Sequence, residues 1–167
     1  MAEDVACAIA HGDVEVPVDS GEKVLAAVFA SPVAEHLLRY GRDLGYATIL
    51  IDPDARRAAE RGAVTSVPEL GPGVDVVLTD HHREELGTVV RDVLAREVRW
   101  VGIMGNPRHE GPHVAALRAL EVPERDIERV HRPIGLDIGS KTPPEIAIAT
   151  LAGLIADRNG KSGGFFG

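Results

Sequence analysis

The segment VLAAVFASPV, residues 24–33, decides the fold of this chain. Its first six residues, Val24–Phe29, form a continuous apolar run, which is typical of a strand buried on both faces of a parallel sheet. Ser31 and Pro32 then supply a helix N-cap followed by proline at the first helical position. The apolar spacing of the following turns predicts a helix that ends at Gly45. The segment therefore predicts a strand, a sharp turn and a helix.

The same unit of strand and helix recurs along the chain. Three further apolar runs predict strands at Ala47–Ile51, Val74–Leu78 and Trp100–Met104. Helices are predicted at Ala55–Arg61, at Arg83–Glu97, at Val114–Leu120, and from the capping box Thr142–Glu145 to about Asp157. A minor strand is expected at Val64–Val67, and one or two helical turns at Pro123–Val130. This alternation predicts an α/β fold: a doubly wound, mostly parallel sheet with helices on both faces, as in Rossmann-like domains.

Composition divides the chain into three parts. Residues 1–22 are expected to be an N-terminal extension or linker, in which Ala2–Ala10 could form a short helix. Residues 23–158 carry the alternating pattern and form the predicted domain. Residues 159–167 are rich in glycine and are predicted to be a flexible tail.

Charge and cysteine content exclude several classes of function. The 167 residues carry a formal charge of −8, so no basic surplus exists to bind nucleic acid or an anionic membrane. No apolar run approaches the roughly 20 residues of a membrane helix, and the acidic N-terminus does not resemble a secretory signal. The single cysteine, Cys7, excludes an internal disulfide and is expected to be inert. These features predict a cytoplasmic protein with neither a nucleic-acid partner nor a membrane partner.

The turns after the strands are the expected place for a ligand, because open parallel sheets bind ligands at the carboxyl ends of their strands. A dinucleotide-binding domain uses G-x-G-x-x-G after its first strand, whereas residues 29–34 read FASPVA and hold no glycine. Asp52 lies at the end of the second strand, where a ribose-binding acid belongs, but it is equally a helix-start signal. The sequence therefore argues against standard NAD binding.

Two strings match catalytic motifs without the structural context that those motifs require. His109–His113 reads HEGPH and fits the zinc-protease pattern, but Pro112 is expected to be the first helical residue, which leaves His109 in the preceding loop. Gly160–Ser162 resembles the end of a phosphate-binding loop but lacks the earlier glycine and a following helix. Neither string is taken as a site.

Two other segments carry candidate site residues. Asp80 could cap the next helix, with the imidazoles of His81 and His82 facing the cleft. Residues 131–142, HRPIGLDIGSKT, form a longer loop than a connection requires, and functional residues are often carried by such loops. Asp137 lies between two apolar residues in this loop, so its carboxylate is expected to be partly desolvated and paired with Lys141, Arg132 or backbone N–H groups.

This loop also carries a family resemblance. Residues 133–147, PIGLDIGSKTPPEIA, resemble the signature of the XdhC/CoxI family, the xanthine dehydrogenase accessory proteins. Trp100–Gly105, Val77–His81, Leu44–Tyr46 and Ile51–Asp52 resemble the strand ends of the same family. The resemblance spans about residues 23–160, which corresponds to the C-terminal Rossmann-like domain of these proteins.

The resemblance implies a maturation factor for a molybdenum hydroxylase of the xanthine dehydrogenase type. Family members bind molybdenum cofactor, assist its sulfuration and deliver it to the client enzyme. Ala30–Pro32 lacks the family's glycine turn, and of the family's arginine-rich stretch after Gly105 only Arg108 remains. The family's separate N-terminal domain does not fit before Lys23, so the chain is expected to be either a stand-alone Rossmann-domain version or a partner of a separate XdhC-type chain that carries that domain. The client enzyme is the other implied partner. A homodimer is left open.

Together these observations and the family resemblance predict a cleft at the strand ends that holds a phosphate-bearing cofactor of the molybdopterin type. Ser31 and Asn106 offer helix N-termini, and Arg108 or Lys141 pairs with phosphate. The full candidate set is Ser31, Asp52, Thr79, Asp80, His81, Gly105, Asn106, Arg108, Gly135, Asp137 and Lys141. No catalytic residue and no metal ligand is assigned, and a cofactor-binding accessory protein is favoured over a catalyst. Two alternatives are an oxidoreductase domain that binds NAD(P) or a flavin nucleotide such as FAD, and a regulatory domain without a ligand.

Overall fold

The computed structural model describes residues 21–165, and the short helix expected at Ala2–Ala10 lies outside them. Five strands form one sheet: β1 (Val24–Val28), β2 (Ala47–Ile51), β3 (Val74–Leu78), β4 (Trp100–Ile103) and β5 (Val130–His131). The helices are α1 (Pro32–Asp43), α2 (Ala55–Arg61), α3 (Leu86–Leu94), α4 (Pro112–Ala119), α5 (Glu124–Ile127) and α6 (Pro143–Arg158). No helix within this described range is long and apolar enough to cross a membrane.

All five strands are parallel and are arranged in the order β2-β1-β3-β4-β5. The chain passes from β1 to β2 on one side and then to β3 on the other side of β1. The carboxyl ends of β1 and β3 are therefore the point where the strand order reverses, and ligands of doubly wound sheets bind at this crevice. The predicted α/β fold is confirmed.

Both faces of the sheet are buried. Alternate residues of β1 point to opposite sides: Val24, Ala26 and Val28 join one apolar core, and Leu25 and Ala27 join the other. Helices α3 and α4 cover the first core, and α1 and α6 cover the second. The continuous apolar runs of the sequence are thus explained by burial on both sides.

Several boundaries differ from the sequence prediction. Strand β1 ends at Val28, because Phe29 has a φ of +72° and turns the chain. The minor strand expected at Val64–Val67 is a single bridge between Val64 and Ile51. Helix α3 is shorter than the predicted Arg83–Glu97. The helical turn of α5 ends at Ile127, and Val130 enters β5, a strand that the sequence did not predict.

The helix-start signals were correct. Helix α1 begins at Pro32, and the Ser31 hydroxyl accepts a hydrogen bond from the Ala34 N–H at 3.0 Å. Helix α6 begins at Pro143 with the predicted capping box, in which the Glu145 carboxylate accepts a hydrogen bond from the Thr142 N–H. These caps fix where each helix leaves the rim of the sheet.

Candidate functional site

The ends of β3 and β4 meet the loop of residues 133–142 around a cavity of about 450 Å³, called here the strand-end cavity. Its wall includes five residues of the predicted set: Thr79, Asp80, His81, Gly105 and Asn106. Side chains of the loop and of α6 supply the opposite, largely apolar wall. The structure therefore gathers residues from three separate segments of the chain at one place.

A second cavity, of about 510 Å³, adjoins the first and shares His81, His82 and Asn106 with it. Its wall also holds the basic side chains Arg83, His109 and Arg132, and two acids, Glu84 and Glu110. This second space is called here the basic cavity. It places an unusual density of basic groups at the rim of a chain whose net charge is −8.

Six residues of the predicted set lie outside both cavities: Ser31, Asp52, Arg108, Gly135, Asp137 and Lys141. Arg108 and Lys141 are exposed. Gly135 has a φ of +85° and lies against the backbone of Ala149 in α6, where a Cβ would approach to 3.2 Å. Its role in this structure is to let the loop pack against α6.

The expectation that the Asp137 carboxylate is desolvated is wrong. The loop directs Leu136 towards the strand-end cavity, and Leu136 donates its N–H to the Ala149 carbonyl at 3.0 Å. Asp137 is exposed, and its neighbour Ile138 is 55% exposed. Only one of the two flanking apolar side chains packs, so the carboxylate stays in solvent. Neither Lys141 nor Arg132 pairs with Asp137 among the ion pairs of residues 21–165.

The first turn of the fold is built from side chains instead of glycines. The Thr79 hydroxyl donates to the Phe29 carbonyl at 2.8 Å and lies 2.9 Å from the Ser31 hydroxyl. These bonds bridge the ends of β1 and β3. Phe29 keeps its left-handed backbone, a conformation that a non-glycine residue adopts only when its surroundings impose it.

Asp52 is completely buried and serves the same turn. Its carboxylate accepts hydrogen bonds from the N–H groups of Ala30 at 2.9 Å and Asp54 at 3.0 Å. Arg83 donates to it at 3.2 Å, and Arg57 lies 3.5 Å away. Burial alone would raise the pKa of Asp52, but the hydrogen bonds from Ala30, Arg83 and Asp54 hold that pKa below its usual value. Both oxygens of this carboxylate are therefore already engaged.

Arg83 connects this turn to the basic cavity. Its guanidinium lies over the Phe29 ring, 4.7 Å from the ring centre, while also bonding the carboxylates of Asp52 and Glu85. A half-buried guanidinium that stacks and pairs in this way is held rigidly. Arg83 therefore adds a fixed positive charge to the wall of the cavity.

The Asp80 turn has a different local structure from the one expected. Asp80 does not cap α3, whose N-cap residue is Glu85; instead its carboxylate accepts the His82 N–H at 2.8 Å. This short turn brings the rings of His81 and His82 together, with their centres 3.9 Å apart and their planes tilted by 41°. Burial, followed by the charges of His82 and Arg132, lowers the pKa of His81.

Arg132 was missed as a site residue by the sequence interpretation, which considered it only as a partner for Asp137. It follows β5, and since that strand was not predicted, nothing placed its side chain at the rim. The available signal was a basic residue directly before the family signature at Pro133.

The HEGPH string does not form a metal-binding helix. Helix α4 begins at Pro112, as predicted, so His109 lies in the loop before it while His113 is buried in its first turn. Across residues 21–165, no three His, Cys, Asp or Glu side chains form a group that could hold a metal ion.

Other cavities in residues 21–165 include one of about 440 Å³ beside α4 and α5, which Arg132 also lines, and one of about 450 Å³ between α1 and the edge strand β2, which Ser31 lines. The wall of this last cavity mixes apolar side chains such as Leu38 with the charged pair Arg61 and Glu35, whose charged atoms are 3.9 Å apart. This cavity is separate from the group of predicted residues at the ends of β3 and β4.

These features define a class: a parallel, doubly wound Rossmann-type domain with a basic site at the carboxyl ends of its central strands. Within that class the chain belongs to the XdhC family, because the sequence model of the XdhC Rossmann domain matches residues 25–154. The resemblance of the loop and strand ends to XdhC proteins is thereby confirmed.

Two similar proteins illustrate the family and the fold. The chain is 31% identical over 105 residues to the uncharacterized protein YqeB of Escherichia coli K12, a stretch that covers 62% of this chain and 19% of YqeB. A Bacillus halodurans protein, whose crystal structure is named a xanthine dehydrogenase, matches 83% of this chain with a TM-score of 0.61 and 20% identity. The match covers 45% of that protein, so the chain spans less than half the length of either relative.

Proposed function

We propose that this chain is the cofactor-binding domain of an accessory protein that matures a molybdenum hydroxylase, and that it binds molybdenum cofactor at the ends of β3 and β4. The observation that carries the proposal is the pairing of two adjoining cavities at this rim, one with apolar side chains of the loop such as Ile134 and Leu136 on one wall and the other lined by Arg83 and Arg132, in a domain of the XdhC family. Such a pair suits a flat heterocycle that carries a phosphate group.

The residues present fit such a group. In the strand-end cavity, Ile134 and Leu136 offer apolar contact to a ring system, and Asn106 and Ser140 offer polar groups at its edge. In the basic cavity, the two arginines and the nearby imidazoles offer N–H donors to a phosphate. The bound cofactor would supply the molybdenum centre destined for the client enzyme. This chain's residues would hold it and exclude water from one face.

Two contacts disfavour the alternative of an NAD(P)- or flavin-dependent oxidoreductase. Asp52, the only acid at the place of a ribose-binding residue, is buried and bonded on both oxygens. The Ala30 N–H, which a pyrophosphate would need in the first turn, already donates to this carboxylate. A regulatory domain without a ligand is disfavoured because side chains leave about 450 Å³ open at the strand ends.

The partners follow from the same proposal. The client is a molybdenum hydroxylase, and a second XdhC-type chain as a further partner stays a prediction. Assembly as a homodimer stays a prediction. No enzymatic step is assigned to this chain.

Co-purification tests the function. The full chain is produced in a host that makes molybdopterin and in one that cannot, and both preparations are examined by native mass spectrometry and by fluorescence of the oxidised pterin. We expect pterin at close to one per chain from the first host only. Asn106→Ala should lower retention, since Asn106 lines both cavities, whereas the exposed Asn159→Ala at the end of α6 should not. Stoichiometric NAD(P) or flavin in place of pterin would overturn the proposal.

A further inference from the structure

We propose that Arg132 is the phosphate-binding residue of this domain, held in the basic cavity to recognise a phosphate monoester. The inference rests on the proposed function and extends it, because it names the side chain and the chemical group that meet. It replaces Arg108 and Lys141, the exposed residues that the sequence suggested for this role.

The first observation is an unmatched charge. Seven arginines among residues 21–165 are half-buried, and six of them pair with a carboxylate: Arg57, Arg83, Arg96, Arg99, Arg129 and Arg158. Within the same range Arg132 has no carboxylate partner. Its Nη1 donates to the His109 carbonyl at 2.6 Å, and its buried Nε has no hydrogen-bond partner. A half-buried guanidinium without a counter-ion is the expected state of a residue that binds an anion.

The second observation is that two glycines make room for this side chain. A Cβ at Gly105 would lie 2.5 Å from both Nε and Nη2 of Arg132, and a Cβ at Gly111 would collide first with the His113 ring and would lie 2.9 Å from the Cδ of Arg132. The arginine therefore passes beneath the loop between β4 and α4 in direct contact with its backbone. The bond to His109 fixes the other end of the guanidinium, so the group is positioned before any ligand arrives.

The surroundings favour a phosphate. The basic cavity also contains Arg83, which pairs with Asp52 and Glu85, and the imidazoles of His81 and His82, so N–H groups line it from the β3 turn as well as from β5. The planar fork of arginine donates two parallel hydrogen bonds, a geometry that suits phosphate oxygens. Glu84 and Glu110 line the same cavity, which confines the attraction to the neighbourhood of Arg132 and disfavours a long polyanion.

The lowered pKa of His81 is consistent with a phosphate site beside Arg132. Burial and the charges of His82 and Arg132 lower its pKa, and Asp80 opposes them only in part. A phosphate bound beside Arg132 would offset that positive charge. The imidazole of His81 should then take up a proton more readily, so phosphate binding and protonation of His81 should favour each other.

The test uses the full chain and inorganic phosphate as the probe. Phosphate replaces chloride at constant ionic strength while NMR follows the imidazole resonances of His81 and His82. The wild type should saturate, and the pKa of His81 should rise. Arg132→Gln should weaken phosphate binding at least tenfold, whereas Arg108→Gln should leave it within twofold.

Gly105→Ala provides the sharper variant, because it keeps Arg132 in the chain and displaces its guanidinium. The contacted atoms are the far end of a flexible side chain, so the fold should survive while phosphate binding weakens as in Arg132→Gln. Circular dichroism and thermal unfolding verify that each variant is folded.

The outcomes separate this inference from the proposed function. Phosphate binding that is absent in the wild type, or equal in wild type, Arg132→Gln and Gly105→Ala, overturns the role of Arg132. If these variants also retain pterin normally, the proposed function stands without it. Arg132-dependent phosphate binding by a chain that never retains pterin would support the anion site and contradict the molybdenum cofactor as its ligand.

Discussion

Replacing Asp52 by alanine should destabilise the domain more than any other single change at the strand ends. The carboxylate is fully buried and accepts two backbone N–H groups and the Arg83 guanidinium. Its removal leaves the Ala30 N–H without its acceptor and leaves the half-buried Arg83 with Glu85 as its remaining carboxylate partner. Breaking a buried ion pair from one side costs about 3–5 kcal/mol. For a chain of this size, that loss lowers the melting temperature by roughly 2–4 °C per kcal/mol.

Urea unfolding measures this loss, with circular dichroism and the fluorescence of Trp100, the single tryptophan, as probes. The matched control is Asp54→Ala, two residues away. Asp54 caps α2 by accepting the Arg57 N–H at 2.9 Å, but its carboxylate is solvated, so its loss should cost less free energy of unfolding than the loss of the buried Asp52. If Asp52→Ala costs no more free energy of unfolding than Asp54→Ala, the structural role assigned to Asp52 is wrong.

The pH dependence of the same variant has a definite sign. The pKa of Asp52 is lower in the folded protein than in the unfolded chain, so the unfolded chain binds more protons in acid. The stabilisation is therefore fully present above the unfolded value of about 3.9 and is lost as the pH falls through the folded pKa. The stability difference between wild type and Asp52→Ala should shrink over that acid range.

Three further predictions concern other parts of the domain. Asp75→Asn should destabilise by about 3–5 kcal/mol in urea unfolding, because the buried carboxylate pairs with Arg99 and Arg158; a loss below about 1 kcal/mol would contradict this. Burial, followed by the charge of Arg132, lowers the pKa of His113, so the free energy of unfolding of the wild type should decrease as the pH drops below about 6.5. His113→Gln should flatten this dependence of stability on pH, and an unchanged dependence would refute the prediction. Gly87→Ala should lower the free energy of unfolding by about 1–3 kcal/mol, because its Cβ would lie 2.8 Å from a side-chain carbon of α4. An unchanged free energy of unfolding would show that α3 and α4 can separate freely and would contradict this prediction.

The sequence predicted the fold well for strands that are buried on both faces of the sheet. Strands β2 and β3 have the bounds that their apolar runs indicate, and the proline signals place the starts of α4 and α6. Strand β5 was missed because two residues carry no periodicity; it is defined by its pairing with β4. Only tertiary contact reveals such a short edge strand.

The site was predicted in part, for a related reason. Thr79–His81 and Gly105–Asn106 follow predicted strands, so the strand-end rule places them correctly. Asp137 and Arg132 lie in a loop whose path depends on packing against α6 and β4. Asp137 faces solvent, whereas Arg132 lies under the loop between β4 and α4, and only these tertiary contacts distinguish the two.

Hydrogen–deuterium exchange of the full chain, with and without bound molybdopterin, tests the central claim most directly. Binding at the ends of β3 and β4 should slow exchange in three segments: residues 79–82, 104–111 and 131–141. Protection confined to residues 30–34 and 52–54 would indicate a dinucleotide-like site at the first turn. That result, or no protection in the presence of stoichiometric pterin, would contradict the assignment.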